Sequence, residues 1–132
     1  MKIVIDANIV FSALVAGNLT EIILSPKLEL VAPDLLFTEI KNNKEEIKTK
    51  SRLSEMEFTL LLTVLEKKIH SVPFEEFIDK FREAEELLRE HKKDVPYIAL
   101  ALKMKCPFWT YEKRFAGKIL LVTTAEVRRL VN

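Results

Sequence analysis

Two glycines, one cysteine and no glutamine stand in this 132-residue chain, and the scarcities narrow what it can be. Gly17 and Gly117 lie far apart, so no glycine-rich loop can cradle a nucleotide's phosphates. Cys106 has no partner within the chain, and no secretory leader opens it, a combination that points to a reducing cytoplasm. No apolar run approaches the ~20 residues that a membrane-spanning helix needs. The net charge of +1 gives no bulk attraction to nucleic acid, so any such attraction must come from local clustering. With 31% charged residues, the missing glutamine resembles the amide-poor composition of heat-adapted proteins, which says nothing about activity. Repeats, low-complexity tracts and Gly/Ser linkers are all lacking, so one domain over residues 1–132 is expected.

What is present is 48% hydrophobic residues, enough for one core, arranged as short β-branched runs alternating with helical patterns. Strands are predicted at Lys2–Ile5, Leu28–Ala32, Ile69–Val72, Pro107–Thr110 and Lys118–Val122. Helices are predicted near Ala7–Leu14, Leu19–Leu24, Asp34–Lys48, Glu55–Lys67, Phe74–Glu90, Pro96–Lys105 and Ala125–Val131. Ser54 with Glu57, and Thr123 with Glu126, have the spacing of capping boxes. Pro33 and Pro96 fall near helix starts, where a missing N–H costs little. Strands alternating with helices imply an α/β protein, its central parallel sheet of about five strands covered by helices on both faces. Ile3-Val4-Ile5 is apolar without alternation, as a strand buried on both faces should be.

Ligands of open α/β sheets bind beyond the carboxyl ends of the strands, so acidic residues there carry the functional question. Asp6 follows the first strand and reads equally as a helix N-cap and as a site residue. Glu39 lies on the edge of an apolar helical stripe with Leu35, Leu36 and Ile40, either a rim glutamate or a ligand. Asp94 opens the apolar helix Pro96–Lys105, where a carboxylate also serves as a cap and could pair with Lys92 or Lys93. Glu112, in Tyr111-Glu112-Lys113-Arg114, alone reads as a surface residue. Parallel topology would draw all four towards one sheet edge, where mutual repulsion demands protons or cations. Oxygen-only donors without histidine or cysteine suit a hard ion such as Mg2+ or Mn2+.

Ile3-Val4-Ile5-Asp6-Ala7-Asn8 with Ser12, Pro33-Asp34-Leu35-Leu36 leading to Glu39, the run Asp94–Leu102, and Trp109–Phe115 occur in an order that resembles the PIN-domain nucleases, including the VapC-type toxins of toxin–antitoxin pairs. The likeness spans almost the whole chain. It implies a PIN-like fold and a metal-dependent endoribonuclease that hydrolyses RNA with a metal-activated water. Carried over by position, Asp6, Glu39, Asp94 and Glu112 would be catalytic and hold Mg2+ or Mn2+. Asn8, Ser12 and Thr110 would form a supporting shell, with Arg114 and Lys113 at the substrate. The resemblance also implies an antitoxin partner, a homodimer and a cytoplasmic setting. One stretch departs: where the family commonly reads T-x-D-x-D-F, this chain has Thr110-Tyr111-Glu112-Lys113-Arg114-Phe115, with a cation in an acid's place. That puts a second metal in question and leaves a weak or inactive RNA- or protein-binding module as the alternative.

Asn8 argues against a haloacid-dehalogenase-type phosphatase, which needs a second aspartate at that position. No protein nucleophile is called for, which agrees with Cys106 and two scattered histidines, His70 and His91. Lys41, Lys44, Lys48, Lys50 and Arg52 against Glu45 and Glu46 could steer RNA phosphates or simply form a solvated helix end. Phe74, Phe77, Ile78, Phe81, Ala84, Leu87 and Leu88 read as a core face, part of which could serve a dimer.

Overall fold

Strand β1 (Lys2–Ile5) determines the layout, because Ile3, Val4 and Ile5 are all fully buried. Successive strand side chains point to opposite faces, so burial at every position requires cover on both. In the computed structural model, which describes residues 1–89 and 92–132, β1 is the middle strand of five. On one side lie β2 (Glu29–Pro33) and then β3 (Ile69–Val72). On the other lie β4 (Phe108–Trp109) and then β5 (Leu121–Val122). Every pairing is parallel. The chain runs outwards from β1 through β2 to β3 and returns to the far side for β4 and β5. Strand order therefore reverses beside β1, and the segments leaving β1 and β4 flank the crevice where α/β folds bind ligands.

Helices α1 (Ala7–Ala16), α2 (Thr20–Ile23), α3 (Leu35–Asn42), α4 (Lys44–Ser51), α5 (Glu55–Lys68), α6 (Phe81–Leu88), α7 (Val95–Met104) and α8 (Thr124–Val131) pack around the sheet. The most deeply buried is α7, with Val95, Tyr97, Ile98, Ala99, Leu100 and Ala101 all in the core against β1 and β2. Pro96 in its first turn forfeits no hydrogen bond. Both expected capping boxes form: Glu57 N–H donates to Ser54 Oγ (3.1 Å) and Ser54 N–H to Glu57 Oε1 (3.0 Å). Thr123 and Glu126 exchange the same pair at α8, at 3.1 and 3.2 Å. Among the described residues no helix is long and apolar enough to cross a membrane.

Four predicted elements come out differently. The single helix expected over Asp34–Lys48 is two, because Asn43 leaves helical geometry and its Nδ2 donates to the Glu39 carbonyl at 2.7 Å, closing α3. The helix expected over Phe74–Glu90 is instead two short 3-10 turns, Phe74–Glu76 and Ile78–Lys80, followed by α6. There Phe77 is buried and stacks on Phe81 with ring centroids 5.8 Å apart, while Phe74 and Ile78 stay exposed. Glu90 and His91 lie outside the described residues. Strands β4 and β5 are two residues each, shorter than expected, while Pro33 ends β2 just before α3, near a helix start as expected.

The capping box at α5 is exposed and makes a clean test of local stability. Ser54→Ala should cost about 1 kcal/mol. In urea unfolding this appears as a lower midpoint with an unchanged slope, and Ser54→Asp should keep most of the lost stability.

Candidate active site

Register assembles the site. Val4 pairs with Phe108 and Ile5 with Trp109, so the next residues, Asp6 and Thr110, emerge side by side. The Thr110 hydroxyl donates to Asp6 Oδ2 at 2.6 Å, and Asp6 N–H donates to the Trp109 carbonyl at 3.0 Å. Asp6 also caps α1, accepting from Asn8 N–H at 3.5 Å, so its two readings coincide in one carboxylate. Thr110 Oγ1 accepts from Glu112 N–H at 3.0 Å and thereby fixes the turn that carries Glu112.

The other carboxylates arrive at the same edge from different elements. Glu39 occupies the last part of α3, steadied by the Asn43 bond to its carbonyl. Asp94 opens α7, whose axis runs back towards the start of β4 and so places its N-terminus at the carboxyl edge of the sheet. Asp6, Glu39, Asp94 and Glu112 line one cavity of about 710 Å3, together with Asn8, Asn43, Tyr97, Lys92, Lys93 and Arg114. Among the other predicted residues, Ser12 faces a neighbouring groove that also touches Asn8. Thr110 sits beneath Asp6, and Lys113 begins the 3-10 turn Lys113–Phe115 outside the cavity lining. Arg114 reaches in, with Nη2 3.3 Å from Glu112 Oε2 and 3.7 Å from Asp94 Oδ2.

The electrostatics are those of crowded acids. Burial raises the Asp6 pKa; the Thr110 hydroxyl and the Asn8 N–H offset part of this, and the Asp94 charge adds to it. Burial likewise raises Glu39, followed by the Asp6 charge, with Tyr97 and Lys93 acting the other way. The Tyr97 hydroxyl is buried with no fully formed hydrogen bond among the described residues, and its influence on Glu39 is that of a near contact. Burial, then the Glu39 charge, pushes the Tyr97 phenol far up. Asn43 and Tyr97 escaped the sequence reading, although each had a signal: four residues after Glu39 and three after Asp94 place them on the same helical faces.

The donor chemistry fits a hard divalent ion: carboxylate oxygens only, two of them (Asp6 and Glu39) destabilised as anions by burial and by neighbouring carboxylates. As placed, no three His, Cys, Asp or Glu among the described residues form a ready coordination group. Arg114 stands between Asp94 and Glu112.

A parallel α/β protein with a carboxylate-lined cavity at its switch point is the class that fold and site define. The PIN domain family matches residues 4–130, and the chain belongs to that family. PIN domains are generally hydrolytic nucleases that use divalent metals. The chain is similar in structure to one in the crystal structure of VapBC2 from Rickettsia felis bound to a DNA fragment from their promoter. That match has a TM-score of 0.67 and 13% identity, covering 93% of this chain and 98% of the other. At that identity the likeness concerns the fold. No curated protein sequence matches the chain significantly.

Because the Asp6 pKa is raised in the folded chain, the folded state binds that proton more tightly than the unfolded one, and stability falls as pH rises through the interval. Asp6→Asn removes the buried charge, keeps an oxygen for Thr110 and remains a good N-cap. Without divalent ions, Asp6→Asn should melt at a higher temperature than the parent near neutral pH. The difference should close as the pH approaches about 4, the unfolded value. Thermal melts across that range check it.

Proposed function

We propose that this chain is a metal-dependent endoribonuclease of the PIN type, acting as the toxin of a toxin–antitoxin pair. One observation carries the reading: within a PIN domain, the buried Asp6 shares a cavity with Glu39, Asp94 and Glu112. Those four residues would hold Mg2+ or Mn2+. The chemistry such an ion supplies when bound is Lewis-acid charge, which brings a water's pKa from about 15.7 towards ~7 and offsets charge on the leaving oxygen.

The chain's own residues do the rest. Thr110 holds the Asp6 carboxylate in one orientation and, through Glu112 N–H, sets the position of the second acid arm. Asn8 lines the cavity beside Asp6, where its amide can orient a water. Glu39, on the α3 side of the cavity, would take up the proton of the attacking water. The hydroxide oxygen bonds to phosphorus, the P–O bond to the adjoining nucleotide breaks, and the leaving oxygen takes a proton from solvent. Arg114 would contact the phosphate and supply positive charge where the family commonly has a further acid, with Lys113 beside it at the substrate.

Fold likeness to a chain of VapBC2 supports an antitoxin partner, and the free Cys106 suits a cytoplasmic setting. A homodimer belongs to the same reading, and exposed Phe74 and Ile78 offer apolar surface for it. The basic segment contributes less steering than its count implies, because Lys44 and Lys48 pair with Glu55 and Lys50 with Glu46. A second reading, an inactive binding module, draws on Arg114, which already bridges two of the four acids.

Single-stranded RNA incubated with Mn2+ or Mg2+ should be cut by the parent chain and about 100-fold or more slowly by Asp6→Asn, roughly 2.7 kcal/mol of transition-state stabilisation. Equal cleavage by the two preparations would defeat the metal-site assignment. Metal should also raise the parent's melting temperature more than that of Asp6→Asn. Arg114→Ala separates the two readings. In the nuclease it should bind Mn2+ more tightly, for want of a competing cation, yet turn over about tenfold more slowly. In the inactive module, removing Arg114 would instead create cleavage where the parent has none.

A further inference from the structure

Beside the acidic cavity opens a second groove of about 400 Å3, lined by Asn8, Phe11, Ser12, Val15, Lys50 and Tyr111. The two are continuous: Asn8 lines both, and Tyr111 lies between Thr110, the partner of Asp6, and Glu112. We propose that this groove is a stacking subsite for one unpaired base of a single-stranded RNA, adjacent to the phosphodiester at the acidic cavity. The placement of the phosphate rests on the nuclease reading; the stacking surface does not.

Three features favour a nucleotide as occupant. Tyr111 is 50% exposed, so a large aromatic surface is left in water at the mouth of a charged site, and Phe11 adds a half-buried ring. Base-on-aromatic stacking is tolerant of sequence and is how single strands are commonly held. Asn8 and Ser12 supply amide and hydroxyl groups for a base edge, and the volume is that of a small-ligand site. Lys50 supplies the charge complement. Among the described residues it pairs with Glu46 at 2.8 Å, a solvent-exposed helical pair that is weak and exchanges readily for a phosphate. A paired base in an RNA duplex is stacked within its own helix and cannot enter, so the subsite selects single strands.

Binding is read apart from cleavage by using the Asp6→Asn chain with Mg2+ and a fluorescein-labelled, mixed-sequence oligoribonucleotide, followed by anisotropy. Adding Tyr111→Ala should weaken binding by about 5- to 150-fold, the range of one aromatic–base stack. Adding Tyr111→Phe should leave it within about twofold. An oligoribonucleotide carrying 5-iodouridine should photocrosslink to Tyr111 or Phe11, as mapped by mass spectrometry, and the same sequence annealed to its complement should not. Unchanged affinity in Tyr111→Ala, equal losses in Ala and Phe variants, crosslinks confined to other residues, or no measurable RNA binding each overturn the subsite. If the parent cuts RNA while Tyr111→Ala binds and cuts as the parent does, the nuclease reading stands and the groove is left for a partner protein. If the parent cuts nothing while Tyr111-dependent binding persists, the nuclease reading fails and the stacking surface stands.

Discussion

Everything at the carboxyl edge of the sheet depends on one hydrogen bond, from the Thr110 hydroxyl to Asp6 Oδ2. A carboxylate that is only 5% exposed is costly to keep charged, and without a donor aimed at it the acid would bind a proton or turn towards water. Parallel pairing supplies the donor at no conformational expense, since Thr110 follows β4 by the same step by which Asp6 follows β1. The same threonine oxygen accepts from Glu112, so one side chain coordinates two arms of the acidic cavity. Around this point the sheet is well packed: Ile5, Phe108 and Trp109 are fully buried, and the Trp109 indole donates to Thr124 Oγ1 at 3.0 Å. A site that must hold like charges close together is thereby built on a fully buried part of the sheet.

The cavity sets acids against bases within a small volume. Asp6 and Glu39 are both penalised as anions, while Lys93 eases Glu39 and Arg114 spans Asp94 and Glu112. Such an arrangement sacrifices stability for a place where positive charge is wanted. The elements that bring the groups together are individually short, but each ends where a side chain fixes it. Asp6 caps α1, Asn43 closes α3, and Thr110 sets the turn after β4.

How far the sequence foretold this differs by residue, for physical reasons. Ile3-Val4-Ile5 leading to Asp6 was legible because an unbroken apolar run means burial on both faces, and an acid at its end has nowhere neutral to go. The two capping boxes were legible because their chemistry is local. The break at Asn43 was not, since the apolar stripe of α3 continues to Ile47 of α4 and hides a side chain that competes for a backbone carbonyl. Phe74, Phe77 and Phe81 have helical spacing, yet ring packing around the buried Phe77 is met by tight turns instead. The four acids were placed at one edge by topology alone. The reach of Arg114 to two of them, the position of Tyr97 against Glu39, and the siting of Ser12 in the neighbouring groove depend on side-chain packing that spacing does not encode.

The partners of that central hydrogen bond are 104 residues apart in a chain of 132. On a ribosome, the first strand and its aspartate emerge long before the threonine that orients them. Until β4 has been made and has docked beside β1, the acidic cavity lacks both the donor beneath Asp6 and the whole Glu112 arm. A half-synthesised chain therefore has an incomplete acidic cavity. The later strand, β4, must arrive before the residue that follows the earlier one, β1, is held in its final orientation.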